Sequence, residues 1–137
     1  KLTKRSFYIL SFTWGLPVTL SGMLVALFML VTGHKPERWK WCIFFRIGKK
    51  NWGGCEWGPV FLRDHGTDTF LNDHEFGHAV QNCFFGPLMP FIVSLPTTAR
   101  YHTRNIMAKT GHKPQKGYYD IWFEKQANEL GAKNGNE

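Results

Sequence analysis

The stretch LNDHEFGHAVQN, residues 71–82, carries His74, Glu75 and His78 in the pattern H-E-x-x-H. Its surroundings read as a helix from about Thr69 to Phe85, with Asp68 or Thr67 able to cap the start and Gly86-Pro87 supplying a stop. On a helix, positions four apart share one face, so His74 and His78 can direct two imidazoles at one tetrahedral zinc ion. Glu75, about 100° around the helix, can reach a water beside such an ion and take its proton without being a ligand. Gly77 is the only weak helix former between the histidines. With six His and six Glu in the chain, this pattern arises by chance in about one sequence per hundred, so it carries information. The competing interpretation is a pair of surface or core histidines without metal.

Upstream, 28 residues between Arg5 and His34 contain no charge, more than the roughly 20 needed to cross a hydrocarbon core. They predict a transmembrane helix over a membrane anchor at 1–34. Gly15, Pro17 and Gly22 interrupt it, so a kink near Pro17, or a shorter span from about Val18 to Val31, is the variant reading. A signal peptide would need a shorter apolar core and a small-x-small cleavage site, which the stretch lacks. Lys35, Arg38, Lys40, Arg46, Lys49 and Lys50 follow the segment, against Lys1, Lys4 and Arg5 before it, which predicts a cytoplasmic position for the rest.

The 137 residues carry a formal charge of +7. The bases are scattered and no nucleic-acid-binding motif occurs, so the charge suits an anionic lipid surface and excludes a nucleic-acid partner. Trp14, Trp39, Trp41, Trp52 and Trp57 lie in or near apolar runs, either as interfacial anchors or as core. Three cysteines without a C-x-x-C pair support neither a disulfide framework nor a zinc knuckle, and read as reduced, buried thiols.

Between anchor and motif, WCIFFRIGKKNWGGCEWGPVFLRD, residues 41–64, places two apolar runs on either side of a Gly- and Asn-containing connection, predicting a β-hairpin or small sheet. Beyond the motif, FFGPLMPFIVSLPTTA, residues 84–99, is apolar but short and broken by three prolines. It reads as a membrane-skimming element or a buried core segment. Residues 100–117 read as an exposed basic loop, YYDIWFEKQANEL at 118–130 as a C-terminal helix ending near Gly131, and 132–137 as a disordered tail. The fold class is therefore α+β, with a compact domain at 35–131.

HEFGH resembles the active-site helix of the zincin metallopeptidases, which implies Zn2+, a Glu75 general base, His74 and His78 as ligands, and a third ligand from elsewhere. The metzincin continuation is absent, since Gln81 and Phe84 stand where Gly and His belong. Gluzincins instead take a Glu from a later helix in the pattern E-x-x-x-D, whose Asp orients the first histidine. EKQAN, Glu124–Asn128, lies 46 residues after His78 with Asn128 in the Asp position. The resemblance thus implies Glu124 as ligand and Asn128 as its supporting hydrogen-bond partner to His74, with Glu129 and Asp120 as competitors. The chain is also similar to a group of small bacterial membrane proteins of largely inferred activity, through GGCEWGPVFL, HEFGHAVQNCFFGPL, SLP and YYDIWFEKQANELG.

These resemblances imply a membrane-anchored zinc-dependent peptidase, gluzincin-like, with a peptide or protein substrate laid along a strand edge near Gly58–Arg63. Tyr118, Tyr119 or His102 are candidate oxyanion stabilisers. Site-2-type intramembrane proteases share an H-E-x-G-H-like string but draw an Asp from an apolar L-D-G-like segment, which this chain lacks. A non-catalytic membrane adaptor would instead close the metal site with a fourth residue such as His65 or His102. Oligomeric state is not encoded in any of these features.

Overall fold

The computed structural model describes residues 2–48, 54–67, 69–111 and 122–134. In chain order these form α1 (Lys4–Ser11), α2 (Leu16–Val31), β1 (Glu37–Trp39), β2 (Cys42–Arg46), β3 (Gly54–Trp57), β4 (Val60–Arg63), α3 (Thr69–Phe85), α4 (Leu95–Lys109) and α5 (Trp122–Lys133). One 3₁₀ turn (Gly86–Leu88) and one wide π turn (Pro90–Ser94) join α3 to α4. The class is α+β, with five helices and one mixed four-stranded sheet among the described residues.

The sheet corrects the expected hairpin. Its order is β1-β2-β4-β3, and the two apolar runs pair in parallel, Ile43 with Val60 through Arg46 with Arg63. The hairpins are β1 with β2 and β3 with β4. The first turns through Lys40, whose φ of 53° is unusual for a residue with a side chain. Its ammonium pairs with Asp73 at 3.0 Å and donates to the Gly131 and Asn134 carbonyls, which ties this turn to α3 and to the end of α5. The strand edge expected near Gly58–Arg63 is instead interior, because β4 runs between β2 and β3; the edge on that side is β3.

Side chains alternate across the two sheet faces as the strand pleat requires. Phe44 and Phe61 stack with centroids 4.9 Å apart and join Phe7, Trp41, Phe76, Ala79 and Val80 in the core under α3. Phe45, Val60 and Leu62 point the other way, onto Ala26 and Met29 of α2. Residues before 34 pack against the sheet and α3: Phe7 is fully buried in the core and α2 covers one sheet face.

α1 and α2 meet at 92°, and no single helix among the described residues is long and apolar enough to cross a membrane. The outer side of α2 nevertheless exposes Leu20, Leu24, Leu27, Phe28 and Val31, and the turn and start of α4 expose Leu88, Phe91 and Leu95. Trp14 is likewise exposed while Trp41 is buried; Trp52 lies outside the described residues.

Residues 100–109 are helical, not a loop, as the second half of α4; residues 112–117 lie outside the described residues. Among the described residues the C-terminal helix begins at Trp122 and runs past Gly131 to Lys133, with Asn134 buried, so residues 132–134 are ordered where a tail was expected; residues 135–137 lie outside the described residues. Cys42 and Cys83 are buried, but Cys55 is exposed.

Candidate metal centre

α3 is enclosed on almost every side. From Leu71 to Cys83 only Asp73 escapes full burial, so Asn72, His74, Glu75, His78, Gln81 and Asn82 are polar groups inside the protein. Buried polar groups need partners, and those facing α5 find them there. The two helices form the most extensive contact between elements among the described residues. Their approach is set by glycine: a Cβ on Gly77 would lie 1.7 Å from the Ala127 carbonyl oxygen, and one on Gly131 would lie 1.8 Å from that of Asp73.

This contact brings Glu124 to the histidines. Glu124 Oε1 lies 3.1 Å from His78 Nε2, and Oε2 lies 3.6 Å from His74 Nε2. The two Nε2 atoms are 3.1 Å apart. Together the three residues form a buried group whose donor atoms all fall within 4.8 Å of one another, the arrangement a metal ion can occupy.

The outer nitrogens decide what the inner ones can do. His74 Nδ1 lies 2.7 Å from Asn128 Oδ1, and His78 Nδ1 lies 2.8 Å from Gln81 Oε1. An amide oxygen only accepts, so each Nδ1 donates and each neutral ring keeps a lone pair on Nε2. The Gln81 amide cannot turn over, because its NH2 donates to the Phe123 carbonyl at 2.8 Å and to Gln126 Oε1 at 3.0 Å. Two lone pairs and a carboxylate then converge on one buried point, which a proton or a metal cation must occupy to relieve their repulsion. The donor set, two imidazoles and one carboxylate, fits zinc.

Electrostatics follow from that convergence. Burial works against a charged His78, but its hydrogen bond to Glu124 and the nearby charges of Glu75, Glu124 and Glu56 outweigh it and raise its pKa to about 9. Burial alone would raise Glu124, yet hydrogen bonds from His74 and His78 bring it down to about 2. Glu75 is shifted upward chiefly by burial, with the two histidines and Arg63 restraining the rise. Glu56 is pushed up to about 8, again chiefly by burial.

Beside the donors opens a cavity of about 460 Å³, bounded by α2, by β3 and by the turn between α3 and α4. Glu75 faces it from α3, and Glu56 faces it from β3. His102 sits exposed on α4 and does not line this cavity, and His65 is also exposed, so neither closes the group. Glu129 is exposed as well. Tyr118, Tyr119 and Asp120 lie outside the described residues. Of the other aspartates, Asp64 pairs with Arg63 and Asp73 with Lys40, while Asp68 lies outside the described residues.

Two residues of this site were not expected from the sequence. Gln81 had a readable signal, since it stands three positions after His78 and therefore on the same helix face. Glu56 had none, because its strand partner and the cavity are both tertiary. Comparisons with protein-family models, curated proteins and solved structures return no match to this chain.

Proposed function

We propose that this chain is a membrane-anchored zinc-dependent peptidase of gluzincin-like design, in which His74, His78 and Glu124 would hold the ion. The observation that carries the proposal is the convergence of two Nε2 lone pairs and a carboxylate at one buried point, with both Nδ1 atoms occupied by amide oxygens. A zinc ion held there supplies a Lewis acid that polarises a carbonyl and acidifies water.

The remaining steps belong to this chain's own side chains. Glu75 faces the cavity, and burial makes its carboxylate a stronger base than one in water, suited to taking a proton from water and returning it to a departing amine. β3 is an edge strand along the same cavity, so an extended peptide can add its backbone there. The uncharged Asn128 orients His74 while polarising it less than a carboxylate would.

The apolar outer sides of α2 and of the turn before α4 would rest in lipid, with the catalytic part on the cytoplasmic side. Glu124 reaches the histidines only if residues 84–99 dip into the membrane without crossing it, and the 109° bend between the helices flanking the turn agrees with a dip. The test is Glu75→Gln, measured for both zinc content and peptide cleavage. One equivalent of zinc with hydrolysis lost is expected; retained turnover overturns the mechanism.

A further inference from the structure

Glu56 is a carboxylate that the proposed hydrolysis does not use. It stands two residues after Gly54 on β3, hence on the same strand face, and a Cβ on Gly54 would lie 3.2 Å from Glu75 Cδ. Glu56 therefore looks into the cavity beside the general base, and it lines that cavity together with His74, Glu75 and His78. Its Oε1 accepts a hydrogen bond from the Gly58 N–H at 2.9 Å. Its Oε2 is closed off from solvent and has no hydrogen-bond partner among the described residues.

A buried carboxylate oxygen without a donor is costly, and the cost falls when a cation arrives. No Lys or Arg among the described residues lines the cavity, although the whole chain carries +7. The local balance is negative. With Glu56, Glu75 and Glu124 all ionised there are three carboxylates, and one divalent ion leaves a single negative charge uncompensated. The walls supplied by Val18, Trp57, Met89 and Val93 are apolar. A ligand that satisfies both features has an apolar body and one positively charged donor.

Resting on the peptidase reading, we propose that Glu56 binds a substrate alkylammonium group and so sets which peptides present their bond to the site. The group is either the α-ammonium of a free N-terminus or the ε-ammonium of a lysine. In both cases Oε2 accepts the hydrogen bond that no described residue supplies, and the ammonium cancels the remaining charge.

Binding is tested first, on the full chain with and without zinc, using isopentylamine against isopentanol, which share an apolar body and differ in the charged donor. The amine is expected to bind tighter by about tenfold or more, with the preference lost in Glu56→Gln and weakened in Glu56→Asp. Equal binding of the two probes, absence of binding, or an amine preference that survives Glu56→Gln overturns the proposal. The wild-type comparison stands even where a variant does not fold. Cleavage assays separate the two sources. N-acetylation that raises KM with little change in kcat identifies the α-ammonium, and replacement of lysine by norleucine with that effect identifies the ε-ammonium. Indifference to both overturns the assignment. Amine selectivity through Glu56 without any zinc-dependent hydrolysis would keep the site and remove the peptidase reading.

Discussion

His78 owes its orientation to Gln81, three positions further along its own helix, and Gln81 owes its orientation to α5. Replacing Gln81 with Leu leaves the His78 Nδ1–H buried without an acceptor. The expected cost is about 1–3 kcal/mol of stability, with zinc affinity lower by about 10–100-fold in chelator competition. Unchanged affinity would show that Gln81 does not hold the ring. At the other histidine, Asn128→Asp puts a carboxylate against Nδ1, and the same competition should report tighter zinc. The H-E-x-x-H helix was legible because two histidines four apart on a helix share a face whatever surrounds them. Glu124 was legible only through the resemblance of EKQAN to a known pattern, since nothing local says which of Glu124, Glu129 or Asp120 turns inward.

At the scale of elements, the α3–α5 contact decides whether there is a site at all. Gly77→Ala drives a methyl group into the Ala127 carbonyl, and the helices must separate. Beyond a destabilisation of about 1–3 kcal/mol or more, the variant should lose zinc, because Glu124 retreats from the histidines. Metal content of the folded variant checks this, and full zinc occupancy would count against the close approach. Gly131 illustrates what local signals conceal: it resembles a helix stop, yet it lies inside α5 because Asp73 leaves no room for a side chain. Similarly, the apolar runs at 41–47 and 55–63 were readable as strands, but their parallel pairing was not, because periodicity records which face is buried and never which strand lies alongside. The second half of α4 was misread because the Gly and Pro signals of residues 110–117 were extended back over residues that themselves favour no turn.

Over the whole molecule, the proposed metal would compete with protons for one cluster. Without metal, the raised pKa of His78 contributes stability that is complete below about 6.5 and is lost as pH rises through about 9. The lowered pKa of Glu124 contributes stability present above the ordinary carboxylate range and lost as pH falls through about 2. Glu56 acts in the opposite sense to Glu124: its raised pKa makes the folded state less favourable as pH climbs toward about 8. The metal-free protein should therefore lose stability from pH 6.5 to 9. Zinc bound as proposed would reverse this, because it would take the place of the His78 proton and its affinity would gain about tenfold per pH unit in that range. The zinc-induced rise in Tm, at fixed free zinc, should grow from pH 6 to pH 8; a rise independent of pH would remove His78 from the ligands.

The membrane reading has its own test at this scale. Cys55 is exposed while Cys42 and Cys83 are buried, so it is the thiol open to a modifying reagent. An impermeant maleimide should label it in sealed vesicles with the cytoplasmic face outward. Labelling only in the reverse orientation would invert the topology.

The third donor comes 46 residues after the second, and this sets an order of events during synthesis. A chain whose α3 has just left the ribosome presents the histidine pair without Glu124, two of the three donors of the proposed metal site. Only when α5 has left the exit tunnel and docked through Gly77 and Gly131 does the trio exist. The order of translation thus delays assembly of the His74, His78 and Glu124 group until the last helix is made.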